Sequence, residues 1–256
     1  LGMKLNADMG ESFGHYQLGN DAALMPHLHM ANIACGFHAS DPVVMTRTVG
    51  LAKVHGVSIG AHPGYPDLVG FGRRSMACTP DEVRGIIWYQ VGALSAIAAA
   101  NGCQVDFVKP HGALYNQAAI DPVLAQLIVT ISKNMDPRWS IWGLPNSALA
   151  TCCAAQSVQF IPEGFADRSY QPDGSLTPRS HPHALVETTE DCIEQVIQMI
   201  KQKTVVAVNG EQIDCSVATI CLHGDGAHAV RFAKALTEEF KKQQITCKSP
   251  HGKNCQ

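Results

Sequence analysis

Six short apolar runs in this chain end in clustered ionisable residues. Leu5-Asn6-Ala7-Asp8 leads to Gly10-Glu11, Asn32 through Phe37 to His38, and 57–61 to His62. Phe107-Val108 leads to Lys109-Pro110-His111, Gln159 through Pro162 to Glu163, Asp167 and Arg168, and 219–222 to His223 and Asp225. If the runs are parallel strands of one sheet, their ends gather at one mouth. Imidazole suits proton transfer near neutrality. Asp8 and Glu11 form a carboxylate pair, and Asp8 could orient a histidine, act as a general base or bind a metal. A lysine at the end of a buried strand needs an acid or a bound anion as partner, which marks Lys109. His38, His62, His111 and His223 end four different runs, so they are read as a set. Imidazole also suits zinc, but the chain has no H-E-x-x-H and no helical H-x-x-x-H pair. No residue is therefore assigned as a metal ligand, and whether a divalent ion binds stays open.

Asp8, Glu11, His38, His62, Lys109, His111, His223 and Asp225 are the catalytic candidates. Asn6, Asn32, Tyr115, Asn116, Glu163, Asp167 and Arg168 are the candidates for holding substrate. From Glu163 to Arg179 the chain reads as a long polar loop, and long loops at a barrel mouth often bind substrate. Arg168 is the first choice for a substrate carboxylate, with Arg179 and the Arg73-Arg74 pair carrying the same potential. There is no G-x-x-x-x-G-K-[ST] loop, no G-x-G-x-x-G after a strand and no G-x-S-x-G elbow. A general acid–base hydrolase fits what is present better than a self-contained kinase, dehydrogenase or serine hydrolase.

These residues need a scaffold. Strands are expected at 3–8, 30–35, 57–61, 105–108, 139–142, 158–161 and 217–222, with helices between them. Asp41-Pro42 and Asp121-Pro122 pair an N-cap acid with proline at the first helical position. Thr79-Pro80-Asp81-Glu82 reads as a capping box. Gly56 and Gly102 stand where helix ends need positive φ. Val208-Asn209-Gly210-Glu211 reads as a type I′ turn in a small hairpin before the last strand. The expected fold is α/β, a seven-stranded parallel β/α barrel, with an open doubly wound sheet as the alternative. One domain is expected over 1–243, followed by a polar, flexible tail at 244–256.

Bulk properties set limits. A chain of 256 residues, 46% hydrophobic, can bury a substantial core. A net charge of -3 offers no field for nucleic acid or an anionic membrane. The most apolar stretch, 86–100, is read as too short to span a bilayer. Ten cysteines without a C-x-x-C pair read as buried free thiols, Cys152-Cys153 among them. The first residues show no leader pattern, and a reducing, cytoplasmic setting is expected.

Taken together, six segments resemble the LamB/YcsF family: Leu5-Asn6-Ala7-Asp8-Met9-Gly10-Glu11, the run from Ala31 to Ala39, Gly60-Ala61-His62-Pro63, the run from Val108 to Asn116, Phe165-Ala166-Asp167-Arg168 and Cys221-Leu222-His223-Gly224-Asp225. The resemblance implies a seven-stranded barrel of the glycoside hydrolase/deacetylase kind. It also implies ATP-dependent 5-oxoprolinase activity, cleaving 5-oxoproline to L-glutamate in a complex with B and C subunits. A lactam is a poor electrophile, and phosphorylating its oxygen would improve it. Since this chain has no phosphate-cradling loop, ATP is expected to act through the partner subunits. The metal-binding histidine pair of the deacetylases, one helical turn apart, has no counterpart here. The other readings are a metal-dependent amidohydrolase acting alone and a non-catalytic binding subunit.

Overall fold

A computed structural model describes residues 2–246. Seven parallel strands close a barrel: β1 (Leu5–Met9), β2 (Met30–Ala34), β3 (Ser58–His62), β4 (Val105–Val108), β5 (Ser140–Gly143), β6 (Phe160–Phe165) and β9 (Thr219–His223). Their spatial order is β1-β2-β3-β4-β5-β6-β9, with β9 pairing back onto β1. The open-sheet alternative is thereby set aside. Outside the barrel lie α1 (Asp21–Leu24), a 3-10 turn at Met25–His27, α2 (Pro42–His55), α3 (Pro80–Ala100), α4 (Gly112–Ile120), α5 (Pro122–Met135), α6 (Ala148–Ala155), α7 (Thr189–Gln202) and α8 (Ala229–Lys242).

The helices begin where their caps dictate. Asp41 accepts from the amides of Val43 and Val44, and Asp121 from those of Val123 and Leu124. Thr79 and Glu82 close a reciprocal capping box on α3. Gly56 ends α2 at φ 63. By length and composition α3 could cross a membrane, since the helix runs to 21 residues where the sequence reading counted only 86–100. In the fold it lies on the barrel, burying Val83, Ile87, Val91, Leu94 and Ala98 in the core.

Side chains two apart on a strand share a face. Leu5, Ala7 and Met9 point outward into the helix layer, leaving Asn6 and Asp8 inside. The barrel floor is a second apolar cluster of Met30, Phe107 and Trp142 with Ile161 against it. Phe107 and Trp142 stack at 3.8 Å between centroids. Gly60 makes room for them, because a Cβ there would lie 2.0 Å from the Phe107 ring. Above this floor the inward positions become polar.

Three local expectations differ from the fold. The hairpin forms from β7 (Thr204–Val206) and β8 (Gln212–Asp214), but its turn is not type I′. Only Gly210, at φ 86, takes positive φ there, and Ala207 bonds to Glu211 across a bulged loop. β2 stops at Ala34, so His38 arrives on a loop turned by Gly36 at φ 99 rather than on the strand. β6 extends through Phe165, which places Glu163 on the strand and not in the following loop. The expected tail lies, from residue 247 on, outside the described residues; before that, Ile245 packs against the core. Cys152 and Cys153 are buried on α6, and the described cysteines are all free thiols.

Candidate active site

Asp8 sits at the top of β1, in register with Asn32 of β2 on one side and His223 of β9 on the other. Its Oδ1 accepts from Asn32 Nδ2 at 2.8 Å and from Lys109 Nζ at 2.9 Å. Lys109, only 1% exposed, also lies 2.8 Å from Glu163 Oε2 and 3.0 Å from Cys221 Sγ. Its ammonium faces the Phe165 ring at 5.2 Å. Such a lysine survives burial only because two carboxylates flank it. Burial pulls the Lys109 ammonium down, but Asp8, Cys221 and Glu163 hold it well above the usual lysine range. Burial pushes the Asp8 carboxyl up, yet the neighbouring His62 and the Lys109 ammonium hold it well below the usual carboxylate range. Glu163 goes the other way: burial outweighs Lys109 and lifts it to about 7. One carboxylate is thus firmly ionised and the other poised near neutrality.

A second arrangement faces Asp8. His223 Nδ1 lies 3.0 Å from both oxygens of Asp167, whose Oδ2 also accepts the His223 amide at 3.0 Å. A carboxylate only accepts, so Nδ1 carries the hydrogen and Nε2 keeps its lone pair. That Nε2 stands 4.0 Å from Asp8 Oδ2, the oxygen that neither Asn32 nor Lys109 engages. Phe165 stacks on the imidazole at 5.4 Å and fixes its plane.

The remaining imidazoles form a third group. His62 Nδ1 is 2.8 Å from the Lys109 carbonyl, His111 Nε2 is 2.8 Å from the Phe71 carbonyl, and His62 Nε2 meets His111 Nδ1 at 3.0 Å. His38 stacks on His111 at 3.6 Å, almost parallel, and points Nε2 at Glu11 Oε1, 3.6 Å away. Burial and the neighbouring rings push His38 and His111 well below the usual imidazole range. Burial and Asp8 push Glu11 well above the usual carboxyl range. Glu11, His38, His62 and His111 are the four side chains here that could hold a metal ion. The sequence marked all four as catalytic candidates and none as a metal ligand, because each comes from a different loop or strand end and no ligand spacing links them.

A cavity of about 470 Å³ opens above these groups, within the size range of small-molecule sites. Asp8, His62, Lys109, His111 and His223 form its floor, and Tyr115, Asn116 and Phe165 part of its wall. The fold therefore brings these candidates together. Tyr115 is 5% exposed and its hydroxyl has no hydrogen-bond partner.

Other candidates occupy different places from those expected. Asn6 does not reach the cavity: it donates to Thr219 Oγ1 and accepts from Asn32, supporting Asp8 from below. Asn32 is fully buried and spends its amide on Asp8 and Asn6. Glu163 and Asp167 hold Lys109 and His223 rather than line the cavity. Glu11 and His38 lie behind the floor. Asp225 sits at the rim, paired with Arg73 at 2.8 Å. Arg168 borders the cavity, but its guanidinium donates to the carbonyls of Ala184 and Thr177 and so shapes the loop. Burial and Arg179 lower it to about 10. Arg73 and Arg179 also line the upper cavity, Arg73 with its guanidinium on Asp225. The sequence marked them only as ambiguous, because no strand parity applies in loops. Thr177 and Leu144, also in the wall, carried no signal at all.

Comparison with known proteins converges on one group. A family model described as the LamB/YcsF family matches residues 3–254. The A subunit of 5-oxoprolinase from Geobacillus kaustophilus is 48% identical over 246 residues, covering 96% of each chain. That of Bacillus subtilis is 48% identical over 241 residues, 94% of each chain. The crystal structure of a lactam utilization protein from Thermus thermophilus superposes with a TM-score of 0.91 at 37% identity, covering 97% of this chain and all of that one. A putative cellobiose-phosphate cleavage protein from Enterococcus faecalis shares the fold at a TM-score of 0.57 and 14% identity, covering 96% of each chain.

Proposed function

The chain belongs to the LamB/YcsF family, and from that premise we propose that it is the ring-opening subunit of an ATP-dependent 5-oxoprolinase, releasing L-glutamate from 5-oxoproline. The observation that carries this reading is the facing pair of Asp8 Oδ2 and His223 Nε2, 4.0 Å apart on the floor of the cavity. That gap accepts one water hydrogen-bonded to both atoms. His223, held in one tautomer by Asp167, takes a proton from the water, and Asp167 stabilises the imidazolium that forms. The water oxygen adds to C5 of the lactam. Lys109, already charged and desolvated, stabilises the negative charge of the phosphoryl group carried on the former carbonyl oxygen. The C5–N bond then breaks, and His223 returns its proton to the ring nitrogen.

ATP is needed because the amide is a poor electrophile. Partner subunits, B and C in this reading, supply its phosphoryl group to the lactam oxygen; water addition and C5–N cleavage then give γ-glutamyl phosphate, and a second water cleaves that acyl phosphate to L-glutamate and inorganic phosphate. The same cavity then has to accept an anion, and Arg73 and Arg179 at its upper wall suit a substrate carboxylate or a phosphoryl group. The free buried thiols fit a reducing, cytoplasmic setting.

The test is ATP-dependent glutamate release from the chain reconstituted with its partner subunits. Asp8→Asn and His223→Gln should each lower kcat by on the order of 10² or more. Rates within twofold of wild type for both variants would remove this chain from the chemistry and leave it a binding subunit.

A further inference from the structure

We propose that Glu11, His38, His62 and His111 form a binding site for one divalent first-row transition ion of the zinc class. The inference goes beyond ring opening and stands whether or not that activity is found.

It rests on where the lone pairs point. The carbonyls of Lys109 and Phe71 can only accept hydrogen bonds, and they lie 2.8 Å from His62 Nδ1 and His111 Nε2. Those two nitrogens therefore carry the ring hydrogens. What remains is a lone pair on His62 Nε2 and a lone pair on His111 Nδ1, facing each other at 3.0 Å. Two acceptors at that distance repel unless a positive charge lies beside both. Histidines fixed by a carbonyl on one nitrogen, with the other directed inward, are the usual arrangement around a metal.

A shared proton could relieve that one contact, but it would leave the rest of the cluster unsatisfied. His38 is fully buried, and neither of its ring nitrogens has a hydrogen-bond partner. Glu11, 6% exposed, has its Oε1 equally bare, 3.6 Å from His38 Nε2 and 3.9 Å from His111 Nδ1. Buried polar atoms without partners are rare and costly. One ion would engage one donor atom from each of the four residues, since these atoms lie within 4.8 Å of one another. Neighbouring donors around a tetrahedral ion with bonds of about 2.0–2.2 Å sit roughly 3.3–3.6 Å apart, inside that span.

Three imidazoles and one carboxylate select the class of ion. Magnesium and calcium prefer all-oxygen shells, whereas imidazole-rich sites favour zinc, cobalt, nickel or iron. The backbone is shaped to admit the rings: a Cβ on Gly64 would stand 2.8 Å from His38 Nδ1. His62 and His111 also border the cavity, and His62 Nε2 is 3.5 Å from Asp8 Oδ1. When bound, such an ion supplies a Lewis acid beside the cavity floor.

The experiment uses the whole chain alone, without partners or ATP, so that its outcome is independent of the ring-opening reading. Protein stripped with a chelator is titrated with Co²⁺ and with Zn²⁺ against a chromophoric competitor, and the Zn²⁺ form is examined by X-ray absorption. We expect one ion per chain, intense visible bands from the Co²⁺ form, and a first shell containing three imidazole nitrogens. His38→Gln and Glu11→Gln should each weaken binding by about 100-fold or more, while His181→Ala, on the exposed loop, should not change it. Circular dichroism checks that the variants fold. The absorption spectrum of the wild-type chain decides the matter even if they do not. Substoichiometric binding, a shell with fewer than three imidazoles, or unchanged affinity in folded His38→Gln would overturn the site.

Discussion

At the scale of single residues, the candidate site pushes the titration of like groups apart. Asp8 and Glu163 both touch Lys109, yet Asp8 is held well below its usual range while burial raises Glu163 to about 7. This has a consequence for stability. Between pH 4.5 and about 7 the native state keeps a proton on Glu163 that the unfolded chain has lost. Its contribution is therefore fully present below pH 4.5 and lost as pH rises to about 7. The size is roughly 3 kcal/mol. His38 and His111 work in the opposite sense, because the unfolded chain protonates them first and stability from them grows as pH rises toward 6.5. Comparing denaturant unfolding of wild type and Glu163→Gln isolates the glutamate: the stability advantage of wild type over the variant should shrink from pH 4.5 to 7. A pH-independent difference would mean that Glu163 is ionised throughout.

At the scale of elements, parallel strands deliver the chemistry and loops complete it. Period-two alternation carries Asn6 and Asp8, or Cys221 and His223, to one face, so these positions were legible from the residues. His38 and Glu11 were legible as members of the site but not in their places, because positive-φ glycines turn the chain after the strands. Barrel closure rests on contacts such as Gly60 against Phe107. Gly60→Ala places a methyl 2.0 Å from a ring that is itself stacked on Trp142, so the ring cannot simply retreat. The variant should lose about 1–3 kcal/mol in chemical denaturation. An unchanged midpoint would show that the floor can repack. The loop after β6 depends on Arg168 bonding Ala184 and Thr177. Arg168→Met should loosen that loop, raising KM more than it lowers kcat; an equal fall in kcat with KM unchanged would place Arg168 in contact with the reacting atoms.

At the scale of the whole molecule, the chain presents the floor proposed to open the lactam and no loop of its own, among the described residues, that matches a known phosphate cradle. Activity should therefore require both partner and nucleotide. The purified chain alone, given 5-oxoproline and ATP, should release no glutamate, and adding the partner subunits should restore release. Turnover by the chain alone would favour an independent amidohydrolase. Relatives whose names denote one component of a multi-subunit 5-oxoprolinase fit the first outcome.

Sequence by itself determined the barrel, its helix caps and most of the candidate residues that the fold brings together, because apolar runs, capping residues and strand parity are local properties written in consecutive positions. Family resemblance rested on the same short segments. Only the tertiary structure decided how the members are used. Asn6 and Asn32 became supports, Arg168 a loop brace and Asp167 the partner of His223, since each hydrogen bond joins residues that local patterning does not pair. The Glu11, His38, His62 and His111 cluster has no spacing to read. Its geometry exists because four separate strand ends meet at one rim and two backbone carbonyls fix which imidazole nitrogens face inward.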